Sequence, residues 1–219
     1  MVQLSEYAII SDFDGTITVE DSTVELVNTF GNEKNDKIEL DFISGAIGNR
    51  EAMYQHFEAL SITLDEYQFF LKSKINIDLG FDTFLEMLKS LQIPLFIISA
   101  GYRQSVETVL GSERLQGVNI YANSLSGEPF IKPVFATTTP ICDKAFGPCG
   151  NCKRDCLKVI KKSVTNKIAY LGDGLSDRCA IEEADLLFAK SALAAYCDGK
   201  NIPYVPFNTF DDVSSFFCP

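Results

Sequence analysis

Apolar and polar positions along the chain fall into two rhythms. Residues 7–18 open with a short apolar run, Tyr-Ala-Ile-Ile, that ends in the polar stretch Ser-Asp-Phe-Asp-Gly-Thr. This reads as a buried strand running into a loop. From Thr18 to Gly80 the spacing becomes helical: Val24, Leu26, Val27 and Phe30, then Ile38 to Ile47, then Met53, Phe57 and Leu60, then Tyr67 to Ile75. Four helices are predicted there, with start signals at Asp21-Ser22, Asn49 and Asp65. Beyond Gly80 the pattern alternates. It predicts a helix over 82–91, a strand over 93–99, a helix over 102–111, a strand over 118–124 and a hairpin to 136, then helix, strand, helix, strand, helix. Strands alternating with helices imply an α/β fold, a doubly wound, Rossmann-like parallel sheet with its chemistry at the carboxyl ends of the strands. The expected division is a core of 1–17 and 81–219, interrupted by a small helical domain of 18–80.

The polar residues at the predicted strand ends carry the chemistry. Asp12 and Asp14 lie two apart, so on a strand they share a face. Two carboxylates in one small volume repel unless a cation lies between them. A hard cation with oxygen ligands, Mg²⁺, suits them best. The alternative is a polar turn closing a strand, for which Asp and Gly are ordinary residues. The second strand closes on Ser99, Ala100 and Gly101, just before a helical pattern, an arrangement that offers free N–H groups to an anion. A third apolar run, from Lys167, ends in Asp173 and then Asp177. Lys153, at the start of the helical stretch to Lys162, supplies a positive charge for such an acidic site; Lys158 nearby is the alternative.

In this order, the motifs resemble those of the haloacid-dehalogenase (HAD) superfamily of phosphohydrolases. Asp12, Asp14 and Thr16 match its Asp-x-Asp-x-Thr motif, Ser99 its second, Lys153 its third, and Gly172, Asp173 and Asp177 its fourth. The resemblance implies that Asp12 is a nucleophile forming an aspartyl-phosphate and that Asp14 alternates as acid and base, roles that also follow from what a carboxylate needs to attack phosphorus. It implies that Asp12, the Asp14 carbonyl and Asp173 hold Mg²⁺ with Asp177 as anchor, and that Thr16, Ser99, Ala100, Gly101 and Lys153 bind phosphate. A helical insertion after the first motif is similar to the cap of the phosphoserine-phosphatase branch, where substrate choice resides. Glu20, Asp21 and Arg50 are then the candidate specificity residues, Asp21 serving equally well as a helix N-cap.

Cysteine usage adds a narrower likeness. Cys142, Cys149, Cys152 and Cys156 cluster just before and around Lys153. Their spacing admits a structural zinc, whereas an odd total of 7 cysteines favours reduced thiols. A Cys-rich loop before the third motif resembles the phosphatases acting on 2-hydroxy-3-keto-5-methylthiopentenyl 1-phosphate, and also the phosphocholine and phosphoethanolamine phosphatases. The expected activity is a Mg²⁺-dependent phosphomonoesterase on a small phosphorylated metabolite, such as the methylthiopentenyl compound. Phosphoserine or phosphocholine hydrolysis, and phosphotransfer on the same scaffold, are the alternatives.

Composition removes other classes. With 46% hydrophobic residues over 219, the chain can bury a sizeable core. A net charge of −11 disfavours nucleic acid and anionic membranes as partners. No apolar run approaches the ~20 residues of a membrane helix and no apolar leader is evident, so a cytoplasmic location is expected. The single histidine, His56, excludes a multi-His metal site and is read as structural. Oligomeric state is not legible.

Overall fold

The computed structural model describes residues 3–137 and 148–217. Strand β1 (Tyr7–Ser11) is followed by four helices, α1 (Ser22–Phe30), α2 (Glu33–Ile43), α3 (Asn49–Leu60) and α4 (Leu64–Lys74). The chain then forms α5 (Phe81–Ser90), β2 (Leu95–Tyr102), α6 (Arg103–Arg114), β3 (Asn119–Ser126) and β4 (Lys132–Val134). It closes with α7 (Lys153–Ser163), β5 (Lys167–Gly172), β6 (Leu186–Ala189), α8 (Ser191–Lys200), β7 (Val205–Pro206) and α9 (Phe210–Phe217). Among the described residues no helix is long and apolar enough to cross a membrane.

The strands form one sheet in the order β4-β3-β2-β1-β5-β6-β7. All neighbours are parallel except β3 and β4, which form the predicted hairpin. Because both faces of the sheet are covered, β1 is buried at all five positions instead of alternating apolar with polar. Ile9 packs with Phe81, Phe84, Leu110 and Phe210, the side of α5, α6 and α9. Ala8 and Ile10 pack with Leu157, Ile160 and Leu193, the side of α7 and α8. The period of two carries this register onward: Asp12 falls on the face of Ala8 and Ile10, toward α7. The order of strands reverses at β1, between β2 and β5, and the ends of these three strands therefore border one crevice.

Helix boundaries differ from expectation where side chains compete for the cap. Asp21 caps α1 as read, accepting from the N–H groups of Thr23 and Val24. For α3 the cap is Gly48, with Asn49 already helical. For α4 it is Thr63, whose hydroxyl and Glu66 complete a reciprocal capping box that starts the helix before Asp65. Strand β2 continues through Gly101 to Tyr102, past the expected end at residue 99, across a register irregularity between Ile98 and Tyr102.

The helical segment meets the sheet through its own apolar cluster. Leu26, Phe57, Tyr67, Phe70 and Leu71 pack with Tyr102, Leu125 and Ile131. Phe57 of α3 lies edge-on to Tyr102 of β2, with ring centroids 4.9 Å apart. The two chain segments leading into and out of these helices also pair. Val19 N–H donates to the Asn76 carbonyl at 2.9 Å and Asp78 N–H to that of Ile17 at 2.9 Å.

Candidate active site

A buried lysine and the carboxylates around it dominate the crevice at the strand ends. Lys153, the first residue of α7, is buried, and its Nζ lies 2.8 Å from Asp12 Oδ1 and 2.6 Å from Asp177 Oδ1. Burial opposes the charge on Lys153, but Asp12 and Asp177 outweigh it and hold the ammonium protonated well above its ordinary range. Lys158, in the middle of α7, makes no such contact, so the geometry favours Lys153 of the two lysines.

Asp177 is a heavily bonded carboxylate. Besides Lys153 it accepts from the Tyr170 hydroxyl and from the N–H groups of Asp173 at 3.2 Å and Gly174 at 3.0 Å. It thereby ties the loop after β5 to α7. The Asp173 side chain lies outside that net, half-buried, with Thr16 Oγ1 donating to its Oδ1 at 3.0 Å. Gly15 permits this approach: its φ of 72° is left-handed, and a Cβ there would lie 2.4 Å from Asp173 Oδ2.

Asp12, Asp173 and Asp177 offer carboxylate oxygens within 4.8 Å of one another. Burial, followed by the charge of Asp177, pushes Asp12 well above the ordinary carboxylate range and raises Asp173 to about 6. Lys153, with a weaker contribution from Lys190 at Asp173, does not offset the burial of Asp12 and Asp173 here. This hard oxygen donor set fits a divalent cation with a preference for oxygen ligands.

Asp14 is placed differently. Its Oδ1 accepts from both the N–H (3.0 Å) and the hydroxyl (2.5 Å) of Ser22, and its Oδ2 from Ser99 Oγ at 3.3 Å. Burial, with Asp21 adding to it, raises its pKa to about 7. A carboxyl that titrates near neutrality can both give and take a proton.

Around these groups lies a cavity of about 520 Å³ reaching from Asp12, Asp14, Lys153 and Asp173 to residues of α1, α2 and α3. Ala100, Gly101 and Asp21 also line it. Of the residues assigned to phosphate from sequence, two stand elsewhere. Thr16 is buried and directs its hydroxyl to Asp173, making it a support for that carboxylate. Ser99 is buried beneath the cavity, donating to Asp14 and accepting from Gly101 N–H at 2.8 Å.

Two of the three assigned specificity residues also lie outside the cavity. Glu20 binds Asn76 through its backbone N–H (2.8 Å) and side-chain amide (2.9 Å), clasping the two segments that connect the helices to the sheet. Arg50 reaches across to the carbonyls of Thr137 and Cys149, the latter at 2.9 Å, with its guanidinium 5.2 Å from the centre of the Phe135 ring. A long arginine at the start of a helix reads equally well as a ligand or as a strut. Here the loop carbonyls claim it.

Other contributors escape a sequence reading. Ser22, Tyr170, Asn35, Glu39 and Asn151 owe their positions to the packing of separate elements. No local pattern announces them. Asn151 Nδ2 donates to the carbonyls of Ser99 and Tyr121, both at 2.9 Å, and so joins the approach to Lys153 to β2 and β3. His56, read as structural, is buried yet borders the cavity. Of the cysteine cluster, Cys142 lies outside the described residues.

Comparison with known proteins points the same way as this geometry. No family model matches the chain. A polyol phosphate phosphatase of Saccharomyces cerevisiae is 29% identical, covering 94% of this chain and 90% of that one. A 2-hydroxy-3-keto-5-methylthiopentenyl-1-phosphate phosphatase of an Exiguobacterium species is 30% identical, covering 95% of each. Among solved structures, a phosphoserine phosphatase bearing a phospho-aspartyl intermediate analogue shares the fold with a TM-score of 0.71. It is 17% identical, over 96% of this chain and 98% of that one.

Proposed function

Because the chain belongs to the haloacid-dehalogenase superfamily of phosphohydrolases, we propose that it is a Mg²⁺-dependent phosphomonoesterase working through an aspartyl-phosphate on Asp12. The observation that carries this reading is the Asp12–Lys153–Asp177 ion pairing at the ends of β1 and β5, with Asp173 beside it.

Asp12 is the nucleophile. Lys153, 2.8 Å from its Oδ1, favours the ionised form against the effect of burial and offers positive charge to the phosphoryl oxygens. As the Asp12 oxygen bonds to phosphorus, the bond to the alkoxide breaks and Asp14 gives that alkoxide its proton. Asp14, now ionised, takes a proton from water. The water oxygen then bonds to phosphorus, and the Asp12–phosphorus bond breaks to release phosphate. A carboxyl with a pKa of about 7 suits both halves of the cycle. Asp12, Asp173 and the Asp14 carbonyl would hold Mg²⁺, which when bound screens charge on the phosphoryl group. Asp177, Thr16 and Ser99 position the reacting groups, while Ala100 and Gly101, which line the cavity, border the phosphoryl oxygens.

Residues 18–80 act as a cap over this centre, supplying the cavity wall that meets the leaving group. A small metabolite suits a cavity of about 520 Å³. The names of the relatives support a hydroxyl-bearing substrate, a polyol phosphate or the methylthiopentenyl phosphate. Arg50, committed to loop carbonyls, is a poor receptor for the carboxylate of phosphoserine.

Phosphate release from a panel of phosphorylated metabolites, measured with Mg²⁺ and with EDTA, tests the reading. Asp12→Asn should lower turnover by about 10⁴-fold or more while leaving the melting temperature within a few degrees. Retained phosphatase activity in that variant, or full activity of the wild type in EDTA, would overturn it.

A further inference from the structure

The helical wall of the cavity holds a histidine whose tautomer is fixed by its neighbours. Asn35, on α2, is fully buried. Its Oδ1 accepts from Asn32 N–H at 3.2 Å, which sets the orientation of the amide. The amide nitrogen then faces His56 on α3, lying 3.1 Å from Nδ1 and donating to the His56 carbonyl at 3.3 Å. With Asn35 as the donor, Nδ1 must accept. The neutral ring therefore carries its proton on Nε2. Burial lowers the pKa of His56, with Glu39 pulling the other way, so the neutral ring is the form to consider.

Nε2 lies 3.6 Å from Glu39 Oε2, too far for a good hydrogen bond. Asn35 and Glu39 are four apart on α2 and so share a face toward α3. His56 and Glu39 both border the cavity that reaches Asp12. A donor fixed in direction and a carboxylate acceptor thus stand side by side, close but not joined. A hydroxyl group can accept from the first and donate to the second. Val24, Phe42 and Met53 line the same region and give apolar contact to the carbon skeleton.

Resting on the phosphomonoesterase reading above, we propose that His56 and Glu39 are the specificity residues of the cap. They recognise a hydroxyl on the leaving group and select phosphomonoesters of hydroxyl-bearing alcohols over those lacking hydroxyls. Asn35 is a positioning residue that holds His56 as a donor. Such a site discriminates against analogues without a hydroxyl, because the N–H of the buried His56 is then left unpaired.

The test is the ratio of kcat/KM for a polyol phosphate, erythritol 4-phosphate, to that for phenyl phosphate, measured on the full chain with Mg²⁺. Glu39→Ala replaces an exposed side chain and should fold as the wild type does. His56→Leu removes the donor, and His56→Gln restores an N–H near the place of Nε2. The ratio should fall about tenfold in Glu39→Ala and in His56→Leu and recover in part in His56→Gln. Melting curves on each protein separate folding from recognition. If both folded variants keep the wild-type ratio, by changing the two substrates equally or not at all, the proposed recognition is wrong while the phosphatase reading stands. If the wild type hydrolyses neither ester nor any other phosphomonoester, the phosphatase reading itself fails and this proposal with it.

Discussion

On the sheet side of the cavity, Asp12, Lys153 and Asp177 are buried, paired within 2.8 Å and held by the ends of β1 and β5 and the start of α7. On the helical side, Asp21, Asp36 and Glu39 are exposed, and the neutral ring of His56 stands 3.6 Å from Glu39. The first wall is a dense charge cluster in which each group depends on the others. The second is a looser set of polar and apolar side chains on short helices. A chain can change the second without unfolding the first, and on the function proposed above this would separate what reaction is run from what molecule receives it.

The comparison breaks most visibly at Lys153. Lys153→Met should leave Asp12 and Asp177 as uncompensated buried charges and cost about 3–5 kcal/mol of stability in chelated protein. It should also depress kcat/KM by about 10²–10³-fold for every phosphomonoester alike. Urea melts with EDTA, beside a substrate panel, check both. Substrate-selective loss would place Lys153 on the wrong wall.

A smaller effect links the sheet-side wall to pH. Asp14, at about 7, and Asp173, at about 6, sit above the ordinary carboxylate value of 3.8. The folded protein therefore binds protons that the unfolded chain has released. That stabilisation is complete below about pH 4 and is lost as pH rises through about 6 and 7. In EDTA the melting temperature should be lower at about pH 8 than at about pH 5.5. Mg²⁺ should raise it more at the higher pH, where it competes with fewer protons. An equal rise at both, seen by differential scanning fluorimetry, would speak against carboxylate binding.

Arg50 sharpens the boundary between the two walls. Arg50→Ala removes the charged hydrogen bonds to Thr137 and Cys149, costing about 1.5–3 kcal/mol. It should lower turnover on all substrates together, because the loop it grips leads to Lys153. A changed substrate ranking would return Arg50 to the helical wall.

Much of the sheet-side wall is legible in the amino-acid sequence alone. Asp12, Asp14 and Asp173 directly follow apolar runs, because strand ends in a parallel sheet converge on one crevice, whereas Lys153 opens α7 and is told from Lys158 only by its contacts in the fold. The four helices of 18–80 are likewise visible in their spacing, since each buries one face. The departures have a common cause. Thr16, Glu20 and Arg50 are polar residues near the right place in the chain, and their partners, Asp173, Asn76 and the loop carbonyls, lie 157, 56 and at least 87 residues away. His56 and Asn35 are silent in the sequence for the same reason. Their roles depend on how α2 packs against α3, which neither helix encodes alone.

The central claim is that phosphorus passes through Asp12 before reaching water. Two in-line displacements, each inverting, give overall retention, whereas direct attack by water inverts once. Hydrolysis of a phosphorothioate monoester made chiral with oxygen isotopes, carried out with Mg²⁺, reports which occurs. Retention of configuration in the released thiophosphate is the predicted result, and inversion would contradict the account.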